Sequence, residues 1–152
     1  MKRHALFFPL IGFALAACTD GTLLHSYKPV SAEGWDRRDT VCFDVPKADT
    51  DISGTLFIGL RTKANIGMQD IVLAIEQRND SAGLCRKDTL RYPLTDAEGY
   101  SLARGVNLHQ YETLRLPFRM KKGESRSVRI HHLMAHEEIG GITEVGIRIN
   151  KR

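Results

Sequence analysis

The sequence is poor in cysteine and tryptophan, and it lacks the common metal-ligand spacings of cysteine and histidine. Among its 152 residues are three cysteines and one tryptophan, and no two cysteines have the spacing of a CxxC pair. The HExxH zinc motif is absent as well, because His136, Glu137 and Glu138 are followed by Ile139 and Gly140. We therefore predict no metal site and no cofactor.

The sequence also lacks an apolar run long enough to cross a membrane. The stretch ALFFPLIGFALAA at 5–17 has 13 residues, whereas a spanning helix needs about 20. Two basic residues precede it and two alanines end it, which is the layout of a secretory signal. The segment 15–18, LAAC, is similar to a bacterial lipobox, in which cleavage falls before the cysteine and its thiol carries diacylglycerol. We predict a lipoprotein signal peptide at 1–17 and lipidation at Cys18; an ordinary secretory signal is the alternative.

Net charge is small once the signal is removed. Loss of Lys2 and Arg3 lowers the basic count from 22 to 20, against 18 acidic residues. With this balance and an extracytoplasmic location, nucleic acid is not an expected partner. The sequence predicts a lipidated cysteine and tether at 18–24 and one domain at 25–152. Asp20 follows the cysteine closely and resembles part of an acidic signal for the export of lipoproteins to the cell surface. A single acid matches that signal only in part, so the domain is expected on either the periplasmic face or the cell surface.

Two cysteines, Cys42 and Cys85, remain in the mature chain. In an oxidising compartment they either form a disulfide or stay as two separate thiols. Spacing in the sequence does not decide between these alternatives, because pairing depends on how closely the two Cα atoms approach.

The domain shows the two-residue alternation of β-strands. The alternating segments are 40–46, 54–61, 69–77, 89–94, 112–120, 127–134 and 143–151. Turn formers such as NDSAG and TDAEG separate them, and no helical stripe extends beyond two turns. About eight short strands with turns between them predict an all-β, antiparallel β-sandwich with a jelly-roll-like order. The KKGES segment is predicted to form a hairpin-like turn.

A basic segment is the sharpest charge asymmetry of the mature chain. From Arg115 to Arg129 there are six basic residues and a single acid, Glu124. A solvated hairpin is one interpretation, and a surface for anionic lipid or an acidic partner is the other. Arg119, Lys121 and Lys122 are our candidate contacts in this segment.

Trp35 and Asp96 are the other candidate contacts. A single tryptophan early in a sandwich is typical of a core or rim anchor, and a sugar-stacking platform is the functional alternative. Asp96 lies in the TDAEG loop, where a carboxylate beside an aromatic side chain would suit a glycan.

Three motifs are near misses for catalytic or metal sites. His132 and His136 have helical ligand spacing, but on a predicted strand they would lie about 13 Å apart. GYSLA around Ser101 lacks the strand-turn-helix context of a nucleophile elbow. DTDISG lacks the final glutamate of an EF-hand, which leaves a polar turn or an adventitious calcium site at Asp49 and Asp51. No enzyme is predicted.

The order of the segments resembles a known family. A lipobox is followed by GWDRRDTVCFDV, by LFIGLR ending in Arg61, by DIVLAIE, by LTDAEGYSLARG and by the terminal HHLMAHEEIGGITEVGIRINK. This order is similar to that of the gliding-motility lipoprotein GldH family of Bacteroidetes, over nearly all of the mature chain. The most specific positions are Met134 with 141–149, then Trp35, Asp39 and Phe43, and Asp96 with Gly99. The segment KANIGMQD departs from the family pattern. The family usually has a tyrosine between the strand that ends in Arg61 and the next strand, and here Ile66 or Met68 lies near that position.

The resemblance implies a place in the outer-membrane gliding apparatus, which overlaps functionally with type IX secretion. It implies no catalytic residues. We therefore expect a non-enzymatic outer-membrane lipoprotein that binds envelope proteins of a motility or secretion complex, on the periplasmic face or at the cell surface. A surface glycan-binding β-sandwich module is the alternative, with Trp35 and the TDAEG loop as its contacts.

Overall fold

A computed structural model describes residues 21–64, 66–105 and 109–152. The predicted signal peptide at 1–17 and the lipidation site Cys18 lie outside these residues. Within the described ranges, no helix is long and apolar enough to cross a membrane. The strands are β1 (Thr22–Pro29), β2 (Trp35–Asp36), β3 (Val41–Val45), β4 (Ile52–Thr62), β5 (Asp70–Asn79), β6 (Gly83–Pro93), β7 (His109–Met120), β8 (Arg126–His132), β9 (Glu138–Ile139) and β10 (Ile142–Lys151).

Eight of these strands form two antiparallel sheets. Sheet I has the order β1-β10-β4-β7, and sheet II has the order β3-β8-β5-β6, while β2 and β9 form a separate two-residue pair. When the eight long strands are numbered by themselves, the orders become 1-8-3-6 and 2-7-4-5. This is the strand order of a jelly roll, so the predicted fold class is confirmed.

The core lies between the two sheets and follows the predicted alternation. Leu56, Ile58 and Leu60 of β4 are fully buried, and the inward side chains of both sheets belong to one apolar cluster. Two polar contacts also cross this core. The side-chain amide of Gln77 donates to the carbonyl oxygen of Pro117 at 3.1 Å, and the Tyr92 hydroxyl lies 3.4 Å from the carbonyl oxygen of Ile58. These two buried side chains thus have hydrogen-bond partners in the opposite sheet.

The predicted tether at 18–24 is too long. Residues 22–24 belong to β1, the edge strand that pairs with β10 through contacts such as Leu24 with Ile149. The alternation of TLLHSYKP is weak because an edge strand buries only part of each face, and the register shifts between Thr22 and Leu24. Only residues 19–21 separate Cys18 from the first strand.

The KKGES segment does not close a hairpin. It leads from β7 in sheet I to β8 in sheet II, so the two strands do not pair with each other. The basic residues of this region therefore diverge. Arg115 and Arg119 are exposed on sheet I and Arg129 is exposed on sheet II, while Arg126 forms an ion pair with Glu124 at 3.1 Å. A single basic hairpin was the wrong prediction.

The connections divide between two ends of the sandwich, because consecutive strands run in opposite directions. Those that follow β3, β5 and β7 lie at one end, together with Gly21 and Arg152. We call this the proximal end. Those that follow β1, β4, β6 and β8 lie at the opposite end, which we call the distal end.

Cys42 and Cys85 are both free thiols. They lie on β3 and β6, the two opposite edges of sheet II. Three strand spacings of about 4.8 Å put them about 14 Å apart, whereas disulfide Cα atoms lie about 4.4–6.8 Å apart. The disulfide alternative is therefore wrong for this fold.

We expect alkylation under denaturing, non-reducing conditions to modify both Cys42 and Cys85 in a mature Cys18→Ser chain. Intact mass spectrometry would show the two adducts, with a reduced sample as the control. Adducts that appear only after reduction would contradict the fold's separation of the two edges.

Candidate partner-binding site at the distal end

Trp35 anchors the distal connections in the core. Its side chain is 0% exposed, its Nε1 donates to the carbonyl oxygen of Asp39 at 2.9 Å, and its strand pairs with Ile139 of β9. The ring meets that of His132 edge to face, with centroids 5.2 Å apart. Trp35 is therefore a core anchor, and the prediction of Trp35 as a ligand contact or sugar platform is wrong because no face of the indole reaches solvent.

His132 is a buried structural residue. Its Nε2 lies 2.9 Å from the carbonyl oxygen of Trp35, and the backbone amide of Met134 donates to Nδ1 at 3.3 Å. Since Nδ1 accepts a hydrogen bond, Nε2 carries the hydrogen and the ring is neutral. Burial is the main cause that lowers the pKa of His132, and the hydrogen bond with Trp35 opposes this shift. His136 is exposed in the next connection.

The lowered pKa of His132 predicts a loss of stability in acid. The unfolded imidazole protonates near pH 6.5, whereas the folded pKa is lower, so the unfolded state binds the proton first. The contribution of His132 to the unfolding free energy is therefore present above about pH 6.5 and decreases below it until the folded pKa is reached. Urea unfolding between neutral and mildly acidic pH would measure this slope. In His132→Gln the slope should be smaller, and an unchanged slope would assign it to other groups.

The TDAEGY segment is a turn that Asp96 holds together. Asp96 Oδ1 accepts the backbone amides of Glu98 at 3.1 Å and Tyr100 at 2.8 Å. Gly99 has φ +88°, in the left-handed region that favours glycine. The Asp96 carboxylate is thus occupied within the turn, and it positions Tyr100, which is 73% exposed. We assign Asp96 a positioning role rather than ligand contact.

Ser101 joins this turn to β7. Its Oγ lies 3.0 Å from the Tyr111 hydroxyl and 3.4 Å from Nδ1 of His109, and it accepts the backbone amide of Ala103 at 3.2 Å. No carboxylate among the described residues contacts His109 to orient it as a base. The hydroxyl has a structural explanation in these three contacts.

A cavity of about 240 Å³ lies beside the turn, and Ile66, Met68, Gln69 and Thr95 are among its lining residues. The Thr95 hydroxyl is buried and has no hydrogen-bond partner among the described residues. A Cβ atom on Gly141 would lie 2.6 Å from Ile66 Cγ2, so Ile66 packs directly on that glycine. Ile66 and Met68, which lie near the position of the family tyrosine, therefore form part of the wall of this cavity.

Exposed apolar side chains concentrate at the distal end. Among the described residues, four large ones are exposed: Tyr100 at 73%, Leu102 at 47%, Leu133 at 42% and Leu84 at 50%. The first three lie in distal connections, and Leu84 lies at the start of β6, at the proximal end. We call Tyr100, Leu102 and Leu133 the distal apolar group. The sequence does not reveal this group, because loop residues have no periodicity that indicates exposure.

A second group of side chains, distant in the sequence, meets on the outer face of sheet I, and we call it the outer-face group. Its members are Tyr27, Gly59, Arg61, Glu144 and Gly146, with Phe57, Glu112, Arg115 and Arg148 toward β7. The ring of Tyr27 lies over Gly146 and Gly59, two glycines paired across β10 and β4. The Arg61 guanidinium stacks on this ring at 3.9 Å and forms an ion pair with Glu144 at 2.7 Å. Burial, reinforced by the nearby carboxylate of Glu112, raises the pKa of Tyr27 to about 12.

The outer-face group continues toward β7. Arg148 lies over the ring of Phe57 at 4.2 Å and forms an ion pair with Glu112 at 2.7 Å. Arg115 approaches the same ring from β7 at 5.5 Å. Because these ions are partly shielded and stacked on aromatic faces, the group rigidifies the outer face of sheet I.

The predicted contact residues are not brought together. Trp35 and Asp96 lie at the distal end, whereas Arg119, Lys121 and Lys122 are exposed at the proximal end. The distal end thus contains an ordered turn, a cavity and exposed apolar side chains, which suit a protein partner better than a small charged ligand.

Comparison with known proteins identifies the family. The model of the GldH lipoprotein family matches residues 22–149. The chain belongs to the GldH lipoprotein family. A gliding motility lipoprotein GldH from Flavobacterium johnsoniae is 26% identical over 150 residues, which cover 94% of this chain and 93% of that protein. The resemblance stated from the sequence is therefore confirmed.

The solved structures that match this chain are only distantly related to it. A cycloalternan-forming enzyme from Listeria monocytogenes is 18% identical with a TM-score of 0.43, and the match covers 78% of this chain and 9% of the enzyme. A CocE/NonD family hydrolase from Staphylococcus aureus is 12% identical with a TM-score of 0.45, covering 86% and 33%. This chain thus spans only a minor part of either protein.

Most of the GldH motif positions named from the sequence gather at two places, while Phe43 lies in the core on β3. Trp35, Asp39, Asp96, Gly99 and Met134 lie in or beside the distal connections, and Met134 contributes its Sδ as a partner for the amide of Val72 at 3.3 Å. The terminal GITEVGIRI runs along β10 and supplies Glu144, Gly146 and Arg148 to the outer-face group. In this GldH protein the motif therefore builds the distal end and its support.

Proposed function

We propose that this chain is a non-enzymatic outer-membrane lipoprotein, anchored through Cys18, which binds envelope proteins of a gliding-motility or type IX secretion-associated complex. The lipoprotein part of this role is taken from the name of the family. The gliding-motility part is taken from the name of the relative. The proposal assigns partner binding to the distal end and anchoring to the proximal end.

One observation carries the assignment of partner binding: the distal apolar group lies at the end opposite Gly21. Tyr100 is the most exposed of its members at 73%, although Asp96 holds its turn in a defined shape. An ordered loop that keeps an aromatic side chain in solvent loses little conformational entropy when it binds. Aromatic side chains in such positions often contribute most of the binding energy at protein interfaces.

The proposal includes no catalysis. Ser101 is the residue nearest to a hydrolase arrangement, yet its hydroxyl is held by Tyr111 and Ala103. Its distance of 3.4 Å from His109 is at the outer limit of hydrogen bonding. We therefore expect Ser101→Ala to leave the biological role intact.

Site-specific photocrosslinking in the native cells tests the distal assignment. A photoreactive phenylalanine analogue would replace Tyr100 in one full-length variant and Leu84 in a matched control, since both side chains are large and exposed but lie at opposite ends. We expect adducts of defined mass with envelope proteins from position 100 and few from position 84. Equal yields from both positions, or none from position 100, would contradict partner binding at the distal end.

Protease accessibility on intact cells tests the anchor and the face of the membrane. Native protein and a Cys18→Ala variant would be compared after fractionation of the envelope. The native protein should fractionate with the outer membrane and the variant should not. Digestion on intact cells would place the domain at the surface, and protection until the envelope is opened would place it in the periplasm.

A further inference from the structure

The proximal end of sheet I has a concentration of basic side chains around the start of the first strand. All of them are exposed, and none forms an ion pair with any residue that the structure describes. These residues are Arg119, Lys121, Lys122, Lys151 and Arg152. We call them the proximal basic group.

The backbone places this group beside Gly21. The amide of Lys151 donates to the carbonyl oxygen of Gly21 at 2.6 Å, and the amide of Arg152 donates to that of Ser53 at 2.9 Å. Ser53 is in turn paired with Arg119 on β7. Neighbouring strands are about 4.8 Å apart, so the backbone of Arg119, three strands from β1, lies about 14 Å from Gly21.

Two acidic residues at this end, Asp51 and Glu124, accept backbone amides in turns, whereas Asp80 is exposed in the connection after β5 of sheet II. Asp51 accepts the backbone amide of Lys122 at 2.8 Å, and Glu124 accepts that of Lys121 at 3.0 Å while it pairs with Arg126. Asp49 is exposed close to the exposed Lys47 of the same connection. The excess of positive charge is therefore greatest on the sheet I side, next to Gly21.

The length of the tether brings this surface close to the lipid. Three residues separate Cys18 from Thr22, and an extended chain spans at most about 3.5 Å per residue. Gly21 can therefore lie no farther than about 11 Å from the lipidated residue. That reach is close to the Debye length of about 8 Å at physiological salt. The tether therefore allows the basic side chains to come within range of the headgroup charges.

We infer that the proximal basic group contacts anionic lipid headgroups, and so fixes the jelly roll upright on its own membrane with the distal end directed away from it. Lipid attachment supplies the anchor, and the basic group supplies the orientation. This inference rests on the proposed lipidation of Cys18. The occupant is the anionic lipid surface itself, because the tether leaves too little room for an intervening protein domain.

Fluorescence quenching on vesicles tests the orientation. The lipidated mature chain, with Cys42→Ser and Cys85→Ser, would be labelled at Thr50→Cys near the proximal group or at Tyr100→Cys at the distal end. Vesicles of phosphatidylcholine, with or without phosphatidylglycerol, would contain a nitroxide quencher on the headgroup. We expect several-fold stronger quenching at position 50 than at position 100, and a larger difference with phosphatidylglycerol. Equal quenching at the two positions on vesicle-bound protein would overturn the inference and leave anchoring intact.

Salt-dependent binding of the unlipidated chain to vesicles tests the basic group separately from the lipid anchor. The unlipidated Cys18→Ser chain should bind phosphatidylglycerol vesicles weakly and less well as salt is raised. The double variant Lys121→Gln, Lys122→Gln should bind about 25-fold more weakly, at about fivefold per residue. The matched control, Arg104→Gln with Arg129→Gln, removes two exposed charges outside the group and should change binding much less. Equal losses in both variants would overturn the inference, whereas failure of the lipidated chain to float with vesicles would count against the anchor alone.

Discussion

Replacing Trp35 with alanine is expected to lower the free energy of unfolding by about 3–5 kcal/mol. The indole is fully buried, donates to Asp39 and contacts the ring of His132. Its removal leaves a cavity where β2 and β9 join the distal connections to the core. Urea unfolding followed by circular dichroism would measure the change, because the only tryptophan is lost in the variant.

Tyr100→Ala is the matched control for Trp35→Ala. It also truncates an aromatic side chain at the distal end, but one that is 73% exposed. Its unfolding free energy should stay within about 0.5 kcal/mol of the native value. Similar losses in the two variants would contradict the assignment of Trp35 to the core and of Tyr100 to the surface.

Gly146→Ala is expected to destabilise the protein by about 1–3 kcal/mol, although alanine normally suits a strand better than glycine. A Cβ atom there would lie 2.5 Å from atoms of the Tyr27 ring. The ring has little freedom to move, because the Arg61 guanidinium is stacked on it at 3.9 Å. The glycine is therefore required by the aromatic side chain that covers it.

A double-mutant cycle isolates this contact. In a Tyr27→Ala background the added methyl group meets no ring, so Gly146→Ala should cost little or should stabilise the strand. Gly140→Ala is the control, since a Cβ atom there has no neighbour within 4 Å. An equal cost of Gly146→Ala with and without the Tyr27 ring would show that the steric account is wrong.

Together the two proposals give the molecule a consistent polarity. Three residues separate the predicted lipidated cysteine from its first strand, and the basic group lies beside that strand's start. The connections with the distal apolar group lie at the opposite end of the same rigid sandwich. A lipid anchor and a partner site at opposite ends would let the domain bridge a membrane surface and a protein complex.

Alternation was sufficient to predict the inner faces of the central strands. Leu73 and Ile75 of β5, and Val128 and Ile130 of β8, were expected on one face and are all fully buried. Each of these strands has a neighbouring strand on both sides, and the other sheet packs against one of its faces. Every second side chain along the strand is therefore buried. The edge strand β1 escaped prediction because it is half-buried and its register shifts.

Long-range pairing decided what alternation could not. KKGES has the composition of a hairpin turn, but β7 pairs with β4 and β8 pairs with β3 and β5. A turn's residues determine its local backbone, whereas the strand's partner depends on which sheet offers complementary apolar side chains. The basic residues on either side of the turn were separated for this reason.

The sequence alone was sufficient for the strand-rich class, the lipobox-like segment at 15–18 and the family, because each depends on local order along the chain. Only the tertiary structure decided that Trp35 is inaccessible, that Cys42 and Cys85 lie on opposite edges, and that Tyr27 shares a face with Arg61 and Glu144. Those facts depend on distances between residues that are far apart in the sequence. In a jelly roll such distances are set by the order in which strands enter two sheets, which no single segment specifies.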